Sequence, residues 1–354
     1  MPRYSKKLSS EQPGSSNLFH YSRLLLLLVT VGAIVTVLIV TAVGIHSCGN
    51  KSSHAASPSR LAKASTINNW FRRLHRKPVW HPVAGKAWAI VSRPKCDGVG
   101  WCMWLSHPSA LESSKGKYWP ASSIKLWAVV AAYKTLYSVQ LTGNSRLELR
   151  TRSGRLLKRT TVNREAKRTI ERSSNRGYDL LARIARVDNM NQYALQYGLY
   201  STYLGQAYAS RSLNKSPAIY SRGRLRLPAY ISRHPAPRCR ARSNCTSLLD
   251  LQKIMYGVVH NHFNLRRMDW LLVRNSLSRV RSGGTKIVRS WCRQRPLRTW
   301  SKGGFVSGYD KIEVIYYQCG MDSWLITLSV PAPRGGGYYR RLRDILRKIQ
   351  QNLP

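Results

Sequence analysis

The hydrophobic pattern changes character twice along the chain. Leu24 to Ile45 runs for 22 residues without a charge or a proline. No polar stripe interrupts it, so as a helix it is long enough to cross a hydrocarbon core of about 30 Å. Cleavable signals have apolar stretches of roughly 7–15 residues, so an uncleaved signal anchor is expected here. Ser47 to Ser65 is then rich in Ser, Ala and Lys, as a linker would be. The expected organisation is a basic tail (1–23), a membrane span (24–45), a linker (46–69) and one folded domain (70–354).

Within the folded part, Lys86–Ser92 (KAWAIVS) and Trp101–Ser106 (WCMWLS) read as two short strands joined by turn residues. Ser122–Tyr137 follows, and Ile124, Trp127, Val130, Ala131 and Leu136 predict a buried helix. From about Leu141 to Asn275 the pattern is mostly helical, broken by basic loops. Tyr197–Arg238, rich in Tyr, Ser and Arg, reads as a long loop. Lys311–Gln318 and Ser323–Val330 alternate like antiparallel strands. A last helix places Leu342, Ile345, Leu346, Ile349 and Leu353 on one face. This order predicts an α+β domain whose antiparallel sheet joins both ends of the chain, with a helical region inserted between.

Charge narrows the setting. Lys and Arg total 59 against 14 Asp and Glu, a net +45, and 43% of residues are hydrophobic. A real core is available, and an ordinary acidic cytosolic enzyme is excluded as the default. The surplus demands an anionic neighbour: nucleic acid, a lipid surface or a cell-wall polymer. Only four of the bases lie in the first 45 residues, so the outer domain carries nearly all of the charge. The bases are spread along the chain and no zinc-finger or RNA-recognition signature is present, which disfavours nucleic acid. Cys96 and Cys102, Cys239 and Cys245, and Cys292 and Cys319 form three candidate pairs, with connectivity open and Cys48 left over. Three pairs favour an oxidising compartment. Bases on both sides of the span leave the positive-inside signal weak, so the cysteines set the expected topology: a single-pass cell-membrane protein with its large domain extracytoplasmic.

Three short motifs carry candidate chemistry. Ser122 and Lys125 stand three apart at the start of the apolar helix, where one turn puts both side chains on one face. Unpaired N–H groups and the helix dipole there favour an anion. The plainer reading of Ser122 alone is an N-cap serine, and Ser114 and Lys117 show the same spacing in a polar loop. Ser173-Ser174-Asn175 lies 51 residues after Ser122, and Lys302-Gly303-Gly304-Phe305 precedes the last two strands.

S-x-x-K, S-x-N and a Lys-x-Gly segment in that order resemble the motif set of penicillin-recognising serine enzymes, above all class A β-lactamases and DD-peptidases. The resemblance spans about residues 70–354. It implies an antiparallel sheet flanked by helices, the N- and C-terminal ones among them, with an inserted all-helical subdomain. It implies Ser122 as the acylated nucleophile, Lys125 as its base and Ser173 as the proton shuttle to the leaving nitrogen. Asn175 would hold the substrate amide and Lys302 its carboxylate. The Ser122 and Phe305 N–H groups would form the oxyanion hole. The implied partners are β-lactams or peptidoglycan stem peptides, with no cofactor and no metal.

Two departures stand out. Gly303 occupies the place of the usual Thr or Ser, so a carboxylate-binding hydroxyl is missing unless Ser301 or an arginine substitutes. Ser210-Arg211-Ser212-Leu213-Asn214 matches the family's E-x-x-L-N loop, but serine replaces the Glu that activates the deacylating water, and slow deacylation is expected. A lysine starts near pKa 10.4; desolvation and nearby positive charge lower it, so Lys125 as a base needs no carboxylate. The competing expectation is a non-catalytic protein of this fold that binds anionic cell-envelope polymer. His260 and His262, two apart on a helix-like stretch, are expected to face different ways. Asp179 and Asp250 read as salt-bridged structural acids.

Overall fold

The computed structural model describes residues 79–80, 88–94, 101–105, 120–232, 244–293, 296–305, 310–331 and 337–352. The expected membrane span, the linker, the expected N-terminal helix, Ser114 and Lys117 lie outside these residues. So do Cys48, Cys96, Cys239, Leu353 and the side chain of Cys102. Among the described residues no helix is long and apolar enough to cross a membrane.

In chain order, β1 (Val79–Trp80), β2 (Trp88–Pro94) and β3 (Trp101–Leu105) lead to a 3-10 turn, Ala121–Ile124, and α1 (Lys125–Ser138). Next come β4 (Leu147–Arg150), β5 (Leu156–Thr160), α2 (Val162–Glu171), α3 (Asn175–Ala185) and α4 (Val187–Gln196). Four short strands follow: β6 (Lys215–Ser216), β7 (Ala218–Ser221), β8 (Arg224–Leu227) and β9 (Tyr230–Ile231). Then α5 (Leu248–Val259), α6 (Arg267–Ser278) and α7 (Gly283–Arg289) precede β10 (Leu297–Phe305), β11 (Asp310–Cys319), β12 (Asp322–Pro331) and α8 (Tyr338–Asn352).

The main sheet has the order β1-β3-β2-β12-β11-β10, so strands from both ends of the domain are neighbours and β10 is an edge. Its pairings are antiparallel except β1 with β3. Alternation along the strands separates two cores. Trp300, Ile312, Val314 and Tyr316 face α1 and the other inserted helices. Ile315, Tyr317, Ile326 and Leu328 face α8, which contributes Leu342, Ile345, Leu346 and Ile349. Arginines 340, 343 and 347 occupy the exposed side of α8, giving the amphipathic period expected of a helix on a sheet. α1 is apolar all round because helices and sheet enclose it: every residue from Leu126 to Tyr133 is at most 2% exposed.

The α+β class holds, but the inserted region is not wholly helical. It carries a four-stranded sheet, β5-β4-β7-β8, and the small pair β6-β9. Leu147 and Leu149 are buried while Glu148 and Arg150 are not, a period of two over only four residues. Arg222 and Gly223, both at positive φ (51° and 73°), close the β7–β8 hairpin inside the expected loop. A two-residue turn with both φ values positive matches the twist of the flanking strands, and Arg-Gly is a weak signal for it. Cys292 and Cys319 are disulfide-bonded, which braces the β10–β11 end of the sheet. Cys245 is also disulfide-bonded.

Candidate active site

Ser122 sits in the 3-10 turn and Lys125 opens α1, with the Lys125 backbone N–H donating to the Ser122 carbonyl. Ser122 is only partly buried among buried neighbours. Ala121, immediately before it, has φ +46°, outside the conformations an alanine prefers. Tyr208 anchors this turn by donating its hydroxyl to the Ala121 carbonyl at 2.6 Å.

Lys125 is fully buried. Its ammonium donates to the Ser173 carbonyl and to Asn175 Oδ1, both at 2.5 Å, and lies 3.4 Å from Ser173 Oγ. It also stands 5.5 Å from the centre of the Tyr208 ring. Ser173 links α2 to α3 at φ +51°; strained backbone of this kind persists where the surroundings over-determine it. Ser174, not Ser173, caps α3, accepting from the Gly177 N–H.

Lys302 arrives from the edge strand. Its side chain shares the face of Trp300 and points into the molecule, donating to Ser173 Oγ at 3.0 Å and to the Gly303 carbonyl at 2.9 Å. The Ser173 hydroxyl therefore lies between two amines from elements 177 residues apart. Gly304 completes the junction: a Cβ there would come within 2.7 Å of the Ser122 nitrogen and 2.9 Å of the Pro120 carbonyl. Only glycine allows β10 so close to the turn. Phe305 follows at the strand end with its ring more than half exposed. Ser122, Lys125, Ser173, Asn175, Lys302, Gly303 and Phe305 thus come from one region of the molecule.

Burial without a hydrogen-bonded carboxylate dominates the electrostatics. Lys125 is lowered from 10.5 to about 8 by desolvation, partly opposed by the negative charge of Asp179. Lys302 is lowered to about 7, by desolvation and then by the charge of Lys125. The two values lie close together, so between pH about 7 and 8 the pair shares roughly one proton and each amine is neutral part of the time.

The structure corrects several details. Asp179 makes no salt bridge among the described residues; its carboxylate accepts the backbone N–H groups of Tyr208, Ala209 and Ser210 at 2.6–2.9 Å. It thus ties the segment containing Ser210 to α3, while the Ser210 hydroxyl bonds to the Ser212 carbonyl. Asp250 does lie 3.6 Å from Lys253, and it also accepts from the Ser201 N–H and the Thr202 hydroxyl. Ser301 is buried on the rear face with Ile315, its partner across the strands, so alternation removes it from the Lys302 side. Two arginines lie toward that side: Arg298, two residues before Trp300 on β10, and Arg274, stacked 4.9 Å from Trp300 and 5.2 Å from Trp270. His260 and His262 do not diverge: the chain leaves α5 through Asn261 at φ +56°, and both rings lie against Tyr256, at 4.2 and 5.1 Å. Desolvation and the charges of His262 and Arg274 lower His260 to about 4. Tyr208 and Asp179 had no periodic or motif signal of their own, and the motif glycine Gly304 gave no hint of its close approach to the Ser122 turn; these roles come from contacts distant in sequence.

No protein-family model matches the sequence, and no curated protein matches it. Solved structures do match the fold. A β-lactamase from Sphaerobacter thermophilus superposes with a TM-score of 0.54 at 13% identity, covering 84% of this chain and 99% of that one. PBP-A matches with a TM-score of 0.51 at 13% identity, covering 82% and 95%. The TLA-3 extended-spectrum β-lactamase gives 0.52 at 12% identity, covering 82% and 98%. The fold is therefore that of class A β-lactamases and related penicillin-binding proteins. At these identities the likeness concerns the fold alone.

Proposed function

We propose that the protein is a serine acyl-transfer enzyme that attacks β-lactams or the D-Ala-D-Ala ends of peptidoglycan stems. The observation that carries this reading is the Ser173 hydroxyl held between the amines of Lys125 and Lys302, with Lys125 hydrogen-bonded through its backbone N–H to Ser122. Ser122 Oγ bonds to the substrate carbonyl carbon while neutral Lys125 takes the hydroxyl proton. As the carbon–nitrogen bond breaks, Ser173 passes a proton to the leaving nitrogen. The N–H groups of Ser122 and Phe305 face the developing oxyanion. Protonated Lys302 attracts the substrate carboxylate, with Arg274 as a second cation in place of the missing hydroxyl, and Asn175 holds the substrate amide. A structural neighbour, a PBP-A mutant at TM-score 0.52 and 13% identity, was solved as an acyl-enzyme with penicillin G, and that precedent supports the chemistry.

With serine at position 210 and the Asp179 carboxylate held by three N–H groups, no carboxylate among the described residues is placed to activate a hydrolytic water, so the acyl-enzyme is long-lived. The domain works outside the cell, tethered by the span at 24–45 with residues 1–23 inside. The test is labelling of the full chain with a fluorescent penicillin. The intact protein takes up a stable label and Ser122→Ala takes none; equal labelling of the two ends the proposal.

A further inference from the structure

Away from the site, α2 presents an unusual stripe. Arg164, Lys167, Arg168 and Arg172 recur at i, i+3, i+4 and i+8, which places them on one side of the helix. With Glu171 they line an open cavity of about 470 Å³. Arg164 also lines a second cavity, of about 550 Å³, at the end of the four-stranded sheet, where Arg146, Arg159 and Arg222 join it. Arg164 lines both, which links the two sets of cations into one basic track.

Few of these charges are neutralised. Arg159 pairs with Glu148, Arg168 lies 3.7 Å from Glu165, and Glu171 is drawn to Arg279. Arg146, Arg164, Lys167, Arg172 and Arg222 have no carboxylate partner among the described residues. Like charges gathered around a concavity repel one another unless an anion lies between them. Cationic rungs rise along α2 by about 5.4 Å per turn, a spacing that suits a chain with an anion in every repeat. No aromatic residue lines either cavity, so the track has no platform on which to stack nucleobases. Leu147, which lines the second cavity, is only 1% exposed, so the lining offers no protruding apolar side chain of the kind a membrane-seated helix inserts among lipid headgroups. Arg172, at the end of α2, immediately precedes Ser173 of the candidate site.

We propose that this track binds a linear, base-free polyanion of the phosphodiester or polyphosphate type, led along α2 toward the Ser173 end. The binding does not depend on the acyl-transfer reading. The test is titration of the full chain, in detergent, with polyphosphate of defined length at about 0.15 M salt. Arg164→Glu combined with Lys167→Glu should weaken binding about tenfold or more and reduce its salt dependence. Arg343→Glu combined with Arg347→Glu, the same charge change on exposed α8 positions, should weaken it less than about threefold. Ser122→Ala should bind as the intact protein does, which separates failure here from failure of the enzymatic reading. Equal losses in the two double variants would reduce the effect to overall charge and overturn the proposal. So would binding of oligo-dT, through the same residues, as tight as that of polyphosphate.

Discussion

Two buried charged clusters lie on opposite faces of the same two strands. On the front face Lys125 and Lys302 hydrogen-bond, among the described residues, only to neutral oxygens: two hydroxyl contacts, two carbonyls and an amide. On the rear face Glu313, opposite Gly303 in the strand register, is 1% exposed. It accepts from the Ser282 hydroxyl, the Gly284 N–H and the Tyr338 hydroxyl, and lies 3.4 Å from Lys311. Burial and this carboxylate raise the Tyr338 hydroxyl well above its ordinary pKa, so it stays a donor. The rear charge is satisfied by its surroundings; the front charges are held in conflict with theirs. A satisfied buried ion joins α7, α8 and the sheet, whereas unsatisfied ones mark candidate chemistry.

The largest effect that sharpens this contrast is kinetic. Lys125→Ala should slow acylation by a fluorescent penicillin by about 10²–10⁴-fold, the range for a general base. An unchanged acylation rate would remove Lys125 from that role. In the intact protein the acylation rate constant should follow a bell in pH. The reactive form has Lys125 neutral and Lys302 charged, the minor arrangement of the single remaining proton, so the rate rises as pH climbs through about 7, peaks between 7 and 8 and falls above about 8. These apparent values belong to the coupled pair and not to either residue alone. A rate that climbs steadily from pH 6 to 10 would contradict the need for a charged Lys302.

Next in size is a loss of stability on the rear face. Glu313→Ala leaves Lys311, Ser282 and the Gly284 N–H without their acceptor, and should cost about 3–5 kcal/mol in denaturant unfolding. Acylation per folded molecule should be little changed. A variant that folds normally but acylates slowly would join the two faces functionally and break the comparison.

The smallest effect has the opposite sign. Both front lysines titrate below their ordinary value, so between pH about 7 and 10.5 the folded chain binds fewer protons than the unfolded one. Their contribution to stability therefore rises with pH through that window and is least favourable below pH 7. Lys302→Met should stabilise the protein by about 1–3 kcal/mol at pH 6 and by less at pH 10, while weakening labelling by carboxylate-bearing β-lactams. Equal stabilisation at both pH values would mean that Lys302 is not held against its charge.

The strands and helices of the main sheet were largely legible in the sequence, because long apolar periods survive without tertiary context. β11, β12, α1 and α8 fall close to where alternation and 3.6-residue spacing put them. The inserted β4–β9 strands were hidden because they are two to five residues long and their turn lacks a strong signal. Site residues were legible as motifs but not as a site. Ser301 illustrates the limit: one position from Lys302 on a strand is the opposite face, and nothing local shows which face matters. Asp179 read as a salt-bridged acid, since a surplus of bases says nothing about three backbone N–H groups 29–31 residues away. The His260–His262 pair was misjudged because the helix ends between them, at a positive-φ asparagine.

By itself the amino-acid order determined the periodicities, the cationic surplus, the glycine at 304 and the helix-start spacing of Ser122 and Lys125. These depend on neighbours within a few positions or on simple composition. Only the folded chain decided that Ser173 lies between two lysines, that those lysines lack a bonded carboxylate, and that the α2 cations line one track. Such facts depend on which side chains exclude water around one another, and desolvation is a property of the packed whole.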